Sequence, residues 1–203
     1  SKAVLAYLDG YPFPSGYSYE QGGTYDEMID AFGDLFLALM AAILLVFMVM
    51  AAQFESVILS LIVMGSVPFA ISGAFLTLFL TGNTLSIPSF AGLIILVGIV
   101  VNNAILLVEF IKINRYTMER NEAIVLAGQY RLRPILMTTL TTIVGMFPMA
   151  LGRGDGGEIM APLAISVMGG LIGSTLVALI LVPILYALVD DGKVRRENRK
   201  RKK

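Results

Sequence analysis

The sequence predicts an all-α membrane protein built as a bundle of five transmembrane helices, and three observations carry that reading. Of its 203 residues 57% are hydrophobic and 15% charged, with a mean hydropathy of +0.80, more than a solvent-covered domain tolerates. Apolar runs near the ~20 residues needed to cross roughly 30 Å of hydrocarbon recur along the chain, separated by polar or turn-forming segments. Lysine and arginine are segregated, although the formal net charge is zero. Cysteine, histidine and tryptophan are absent, which excludes disulfide frameworks, thiolate or imidazole metal sites, and Ser-His or Cys-His catalysis. The chain therefore reads as a non-enzyme with no metal site and no cofactor.

The opening segment, "SKAVLAYLDGYPFPSGYSYE", lacks the charged start and apolar core of a leader, so the chain is expected to be part of something longer. The first span covers about 35–52, "LFLALMAAILLVFMVMAA", and ends at the "QFES" turn. The second covers about 57–80, carries Pro68 as an expected kink, and stops at "TGNTLSIP". The third covers about 89–111. A polar connector follows, whose spaced apolar residues among charges predict an amphipathic helix over about 115–130 on the membrane surface. The fourth span covers about 134–151, the loop "GRGDGGE" breaks the pattern, and the fifth covers about 163–188. That loop lacks the lysine-serine ending of a phosphate-binding loop, so no nucleotide is hydrolysed on it.

The connector holds Lys112, Arg115, Arg120, Arg131 and Arg133, and residues 191–203 form a basic tail, "DGKVRRENRKRKK". Both are expected in the cytoplasm, which places the N-terminus outside and the C-terminus inside. The tail reads as a solvated, disordered run attracted to anionic lipid, and no nucleic-acid fold accompanies it. Small residues recur at four-residue spacing: Ser66, Ala70 and Ala74; Gly170, Ser174 and Ala178; Gly169 and Gly173. Such rows let helix backbones approach closely, and bundle assembly explains them.

Within the third span, "GIVVNNAILLVEF" places two adjacent amides and a carboxylate in an apolar run, where each unpaired polar group costs several kcal/mol. At about 100° per residue, Ala91, Gly98, Asn102 and Glu109 share one face, with Asn103 beside it. On the fourth span Thr138, Thr142 and Gly145 share a face, flanked by Thr139 and Thr141, so two polar stripes invite one interface. Threonine hydroxyls alone are explained by bonds back to a carbonyl of their own helix or between helices. Glu109 is expected to pair with Lys112 or to snorkel. Two consecutive asparagines offer up to four donors and two acceptors that need partners, and intramembrane clusters of this kind mark ion or proton paths.

The order "LVFMVMAAQFES", a proline-bearing span, "GIVVNNAILLVEF", "RLRPILMTTLTTIVGMFPMALG" and "APLAISVMGGLIGSTLVALILVPILY" resembles the carboxy-terminal membrane half of resistance-nodulation-division efflux transporters, in the hydrophobe/amphiphile multidrug branch. The resemblance runs from about Tyr11 to Asp190. It implies that residues 1–32 are the end of a periplasmic porter domain with a short α/β remnant. Residues 33–190 would be helices eight to twelve of a twelve-helix subunit, and 191–203 the cytoplasmic tail. It further implies a bacterial inner-membrane drug/proton antiporter, driven by the proton-motive force and conferring antibiotic resistance. The implied partners are an N-terminal membrane half carrying an aspartate pair, a homotrimer, a periplasmic adaptor protein, the lipid bilayer and hydrophobic or amphiphilic drug-like substrates.

By the same resemblance the proton relay maps onto Asn102, at the position of the family's relay lysine, with Asn103 beside it in a double-asparagine form similar to that of many members, and onto Thr138 and Arg131. An asparagine cannot make the ion pair a lysine would; it can hydrogen-bond the aspartates with a milder effect on their protonation. The amides thus face a partner absent from this chain. A protein-export membrane subunit of the Sec type, sharing the fold, and a structural fragment that transports nothing are the alternatives. A metal-ion exporter of the same superfamily would be expected to carry paired methionines or acids in its spans, whereas the 11 methionines here are scattered.

Overall fold

The computed structural model describes residues 14, 24–154 and 156–201, with side chains described for 14, 27–154 and 156–190. The chain divides into two compact units, 1–34 and 35–203. The expected α/β remnant over 1–32 lies almost wholly outside the described residues, among which there is no strand. Six helices are described: α1 (Thr24–Phe54), α2 (Val57–Met64), α3 (Val67–Leu80), α4 (Ile87–Asn114), α5 (Arg120–Ala150) and α6 (Gly157–Arg201). By length and composition they supply five membrane spans, with α2 and α3 making one between them.

The second span is interrupted. The Gly65 and Ser66 amides donate to the carbonyls of Leu61 and Val63, and the Ser66 hydroxyl donates to Val63 O at 2.7 Å, closing α2. Pro68 then sits in the first turn of α3, where an amide proton has no helical acceptor. The ladder breaks at Gly65 and Ser66, yet both keep right-handed helical dihedrals, so Pro68 interrupts one 24-residue span as a kink does.

The connector and the fourth span, read separately from hydropathy, are one helix. α5 runs 31 residues through Pro134, so the surface helix over about 115–130 and the span from about 134 share one backbone. Proline removes one ladder hydrogen bond and can be carried inside a long helix as a bend. Similarly α6 continues past the last apolar residue to Arg201, so the backbone of the tail is helical where the sequence reads as disordered.

α4 is the central helix. Leu93, Leu96, Val97, Val100, Val101, Ala104, Leu107, Val108 and Ile111 are all buried, at the three- and four-residue spacings that put them around most of its circumference. Its start is fixed by a Ser86 amide donating to Ser89 Oγ at 2.8 Å while that hydroxyl donates back to Ser86 O at 2.7 Å. α3 crosses α6 at backbone contact. A Cβ on Gly73 would lie 2.8 Å from the Gly169 carbonyl oxygen and 3.3 Å from the Cα atoms of Gly170 and Gly173. One on Gly169 would collide with the Thr77 side chain, and one on Gly170 with Leu96. Gly169, Gly170 and Gly173, with the Ala70 carbonyl opposite, thus lie at the crossing of α3 and α6, as expected for close helix approach, while Ser174 and Ala178 of the same rows turn toward α4 and α5.

Candidate functional site

The polar residues of α4 divide by depth of burial. Its apolar arc faces α3, α5 and α6, which leaves Gly98 and Asn102 exposed and Asn103, Ala91 and Glu109 half-buried. Neither asparagine side chain makes a hydrogen bond among the described residues. A Cβ on Gly98 would meet nothing within 4 Å, so this strip of α4 has open space over it. Asn103 points to the other side of the strip, where it lines a hollow of about 10 Å³ with Leu107, Ile135, Ser174 and Thr175.

On α5 the threonines also divide. Thr138 is exposed and its hydroxyl donates to Ile135 O at 2.9 Å; the Thr142 hydroxyl donates to Thr138 O at 2.8 Å. Both therefore close onto their own helix, yet each oxygen keeps acceptor capacity on an open face. Gly145, one turn on, likewise has open space. Thr139 is the inward one: it is buried, and its oxygen lies 3.1 Å from that of Thr175. Because the Thr175 proton is spent on Leu171 O at 2.6 Å, Thr139 is the donor of that bond. The sequence reading placed Thr139 only as a flanking residue; the signal that finds it is its one-residue offset from the Thr138/Thr142 stripe.

Arg131 lies between α4 and α5, its guanidinium carbon 5.1 Å from the centroid of the Phe110 ring, which stacks on Tyr130 with centroids 5.9 Å apart. Cation–π attraction holds the head there. Its Nε is buried and has no partner among the described residues. No hydrogen bond or ion pair joins any two of Asn102, Asn103, Thr138 and Arg131 among those residues. The expected Glu109–Lys112 pair does not form either. The Lys112 ammonium donates to Phe54 O at 3.3 Å, satisfying a carbonyl at the end of α1 that no further helical turn would reach.

The fold and this arrangement define a multi-spanning membrane helical bundle with polar groups on an open face. The chain is similar to known proteins over most of its length. Residues 2–190 match the model of the AcrB/AcrD/AcrF family. It is 37% identical over 198 residues to the swarming motility protein SwrC of Bacillus subtilis, covering 97% of this chain and 19% of that protein. It is 37% identical over 201 residues to the cobalt-zinc-cadmium resistance protein CzcA of Cupriavidus metallidurans, again 97% of this chain and 19% of the relative. With the multidrug resistance protein MdtC of Erwinia tasmaniensis it shares 40% over 163 residues, 79% of this chain and 16% of the relative. A crystal structure of a heavy metal efflux pump superposes with a TM-score of 0.78 at 30% identity, over 94% of this chain and 19% of that one.

The chain belongs to the AcrB/AcrD/AcrF family of resistance-nodulation-division transporters. It spans about a fifth of the length of the curated relatives it matches most fully. Multidrug and metal-resistance relatives match it comparably, so the branch suggested by the motifs is narrower than the family membership.

Proposed function

We propose that this chain is the carboxy-terminal membrane portion, helices eight to twelve, of a proton-driven exporter. It couples proton passage between two membrane repeats to extrusion by periplasmic domains. The observation that carries the reading is Asn102: an amide on the exposed face of an otherwise apolar span, with no hydrogen bond and with open space one turn away at Gly98. Exposure to lipid would leave that amide unsatisfied, and no membrane helix keeps such a group without reason. A second repeat carrying carboxylic acids would supply the partner, with Thr138 accepting at the same face and Arg131 near its end. The full subunit sits in the bacterial inner membrane with the basic tail in the cytoplasm, forms a homotrimer and engages a periplasmic adaptor.

Hydrophobic or amphiphilic drug-like molecules are the proposed substrates, supported by the likeness to MdtC and by methionines scattered over the spans rather than paired. Divalent metal export is the second reading, favoured by the likeness to CzcA and to the heavy metal efflux pump. The test is transport by the full-length protein in inverted membrane vesicles, with dyes or divalent metals as cargo. Asn102→Leu and Thr138→Val should abolish proton-driven uptake while leaving the amount of folded protein unchanged. Unchanged uptake would reduce both residues to packing, whereas no uptake by the unsubstituted protein would leave the structural-fragment alternative standing.

A further inference from the structure

The start of α2, the end of α4 and the stretch of α6 where its apolar run stops meet in a hollow that the relay does not use. Leu59 near the start of α2, Lys112, Arg115 and Tyr116 at the end of α4, and Tyr186, Val189 and Asp190 on α6 line a cavity of about 250 Å³. It lies at the boundary of the apolar spans: α4 ends at Asn114, α2 opens at Val57, and the apolar sequence of α6 gives way to acidic and basic residues from Asp190. Arg115 binds Asp190 Oδ2 through Nε and Nη2, each at 3.4 Å, and donates from Nη1 to Met118 O at 3.3 Å. Lys112 spends one of its three protons on Phe54 O. With Asp190 balancing Arg115, the described lining residues keep one net positive charge, that of Lys112.

Tyr186 supplies the second, independent observation. The residue is only 7% exposed, it lines the hollow, and its hydroxyl has no hydrogen-bond partner among the described residues. The ring is buried while the hydroxyl opens onto the hollow, where it is free to donate to a ligand. Here the hydroxyl, the free ammonium protons of Lys112 and the guanidinium of Arg115 border one cavity, a donor set suited to oxygens of a tetrahedral anion. Leu59 and Val189 add apolar wall.

We propose that this hollow binds one anionic phosphate group, carried by the headgroup of an acidic phospholipid at the membrane boundary. Lys112 and Tyr186 donate to it directly, and Arg115 divides its donors between the phosphate and Asp190. The site rests on the membrane-spanning fold and is independent of the transport reading.

The test uses the full-length transporter in neutral detergent, with lipid retention read by native mass spectrometry and binding by titration of phosphatidylglycerol, phosphatidylcholine or inorganic phosphate. Phosphatidylglycerol should be retained in preference to phosphatidylcholine. Tyr186→Phe and Lys112→Gln should each weaken the tightest phosphatidylglycerol by about tenfold, the effect of losing one hydrogen bond to a charged group. Asp190→Asn, which releases Arg115, should tighten it. If inorganic phosphate displaces the lipid, the site takes the phosphate group from either source; if it does not, the acyl-bearing headgroup is the ligand. Tyr186→Phe removes only a hydroxyl, so an unchanged lipid-free melting temperature certifies its fold. Equal retention of both lipids, or full retention in both variants, overturns the proposal.

Discussion

Neighbouring threonines on α5 make opposite predictions. Thr139 is buried and donates to Thr175, so Thr139→Val should cost about 1 kcal/mol, in the range of hydrogen bonds between membrane helices. Thr138 is exposed and bonds its own helix, so Thr138→Val should change stability by less than about 0.5 kcal/mol. Thermal unfolding of the full-length transporter checks both. Transport lost in Thr138→Val at unchanged melting temperature would mark a functional hydroxyl, whereas a shared drop in stability would mark packing. Gly73 is the steric counterpart: a Cβ would press on the backbone of α6, which cannot rotate away as a side chain can. Gly73→Ala should therefore destabilise by about 1–3 kcal/mol, read as a lowered melting temperature.

At the scale of elements, the end of α4 is tied to α6 by the Arg115–Asp190 pair at 3.4 Å, with side chains 37% and 21% exposed. Water screens a pair this open, so Asp190→Asn should cost less than about 1 kcal/mol, and the cost should shrink with added salt in a melting series. The spans themselves were legible from hydropathy because length and apolarity are what a bilayer demands of a helix. Their limits were not. Hydropathy marks where lipid touches the chain, while hydrogen bonding decides where a helix ends; α1 begins at Thr24, well before the apolar run, and α5 carries a polar connector and an apolar span on one backbone. Pro68 was legible as a kink, but that the ladder breaks at Gly65 and Ser66, ahead of the proline, was not.

At the scale of the molecule, the candidate site was half legible. Helical phase put Gly98 and Asn102 on one face, and the structure leaves both exposed. Phase could not show that Asn103 turns toward Ser174 and Thr175, or that Arg131 lies over Phe110, because those contacts depend on which helices become neighbours. Nor can these five spans complete the site, since the amide of Asn102 has no partner in them. The open strip decides between two surroundings. If lipid covers it, Gly98→Phe adds an apolar ring to an apolar solvent and should leave stability and transport of the full-length protein unchanged. If a second membrane repeat covers it, the glycine is there to admit that repeat, and the ring has nowhere to go. The covered arrangement predicts a loss of about 1–3 kcal/mol and impaired transport for Gly98→Phe, with a smaller effect for Gly98→Ala. Melting temperature and vesicle uptake measured together separate the cases, and Gly98→Ala decides most cleanly: within these spans its Cβ meets nothing within 4 Å, so a penalty for it must come from a neighbour beyond them.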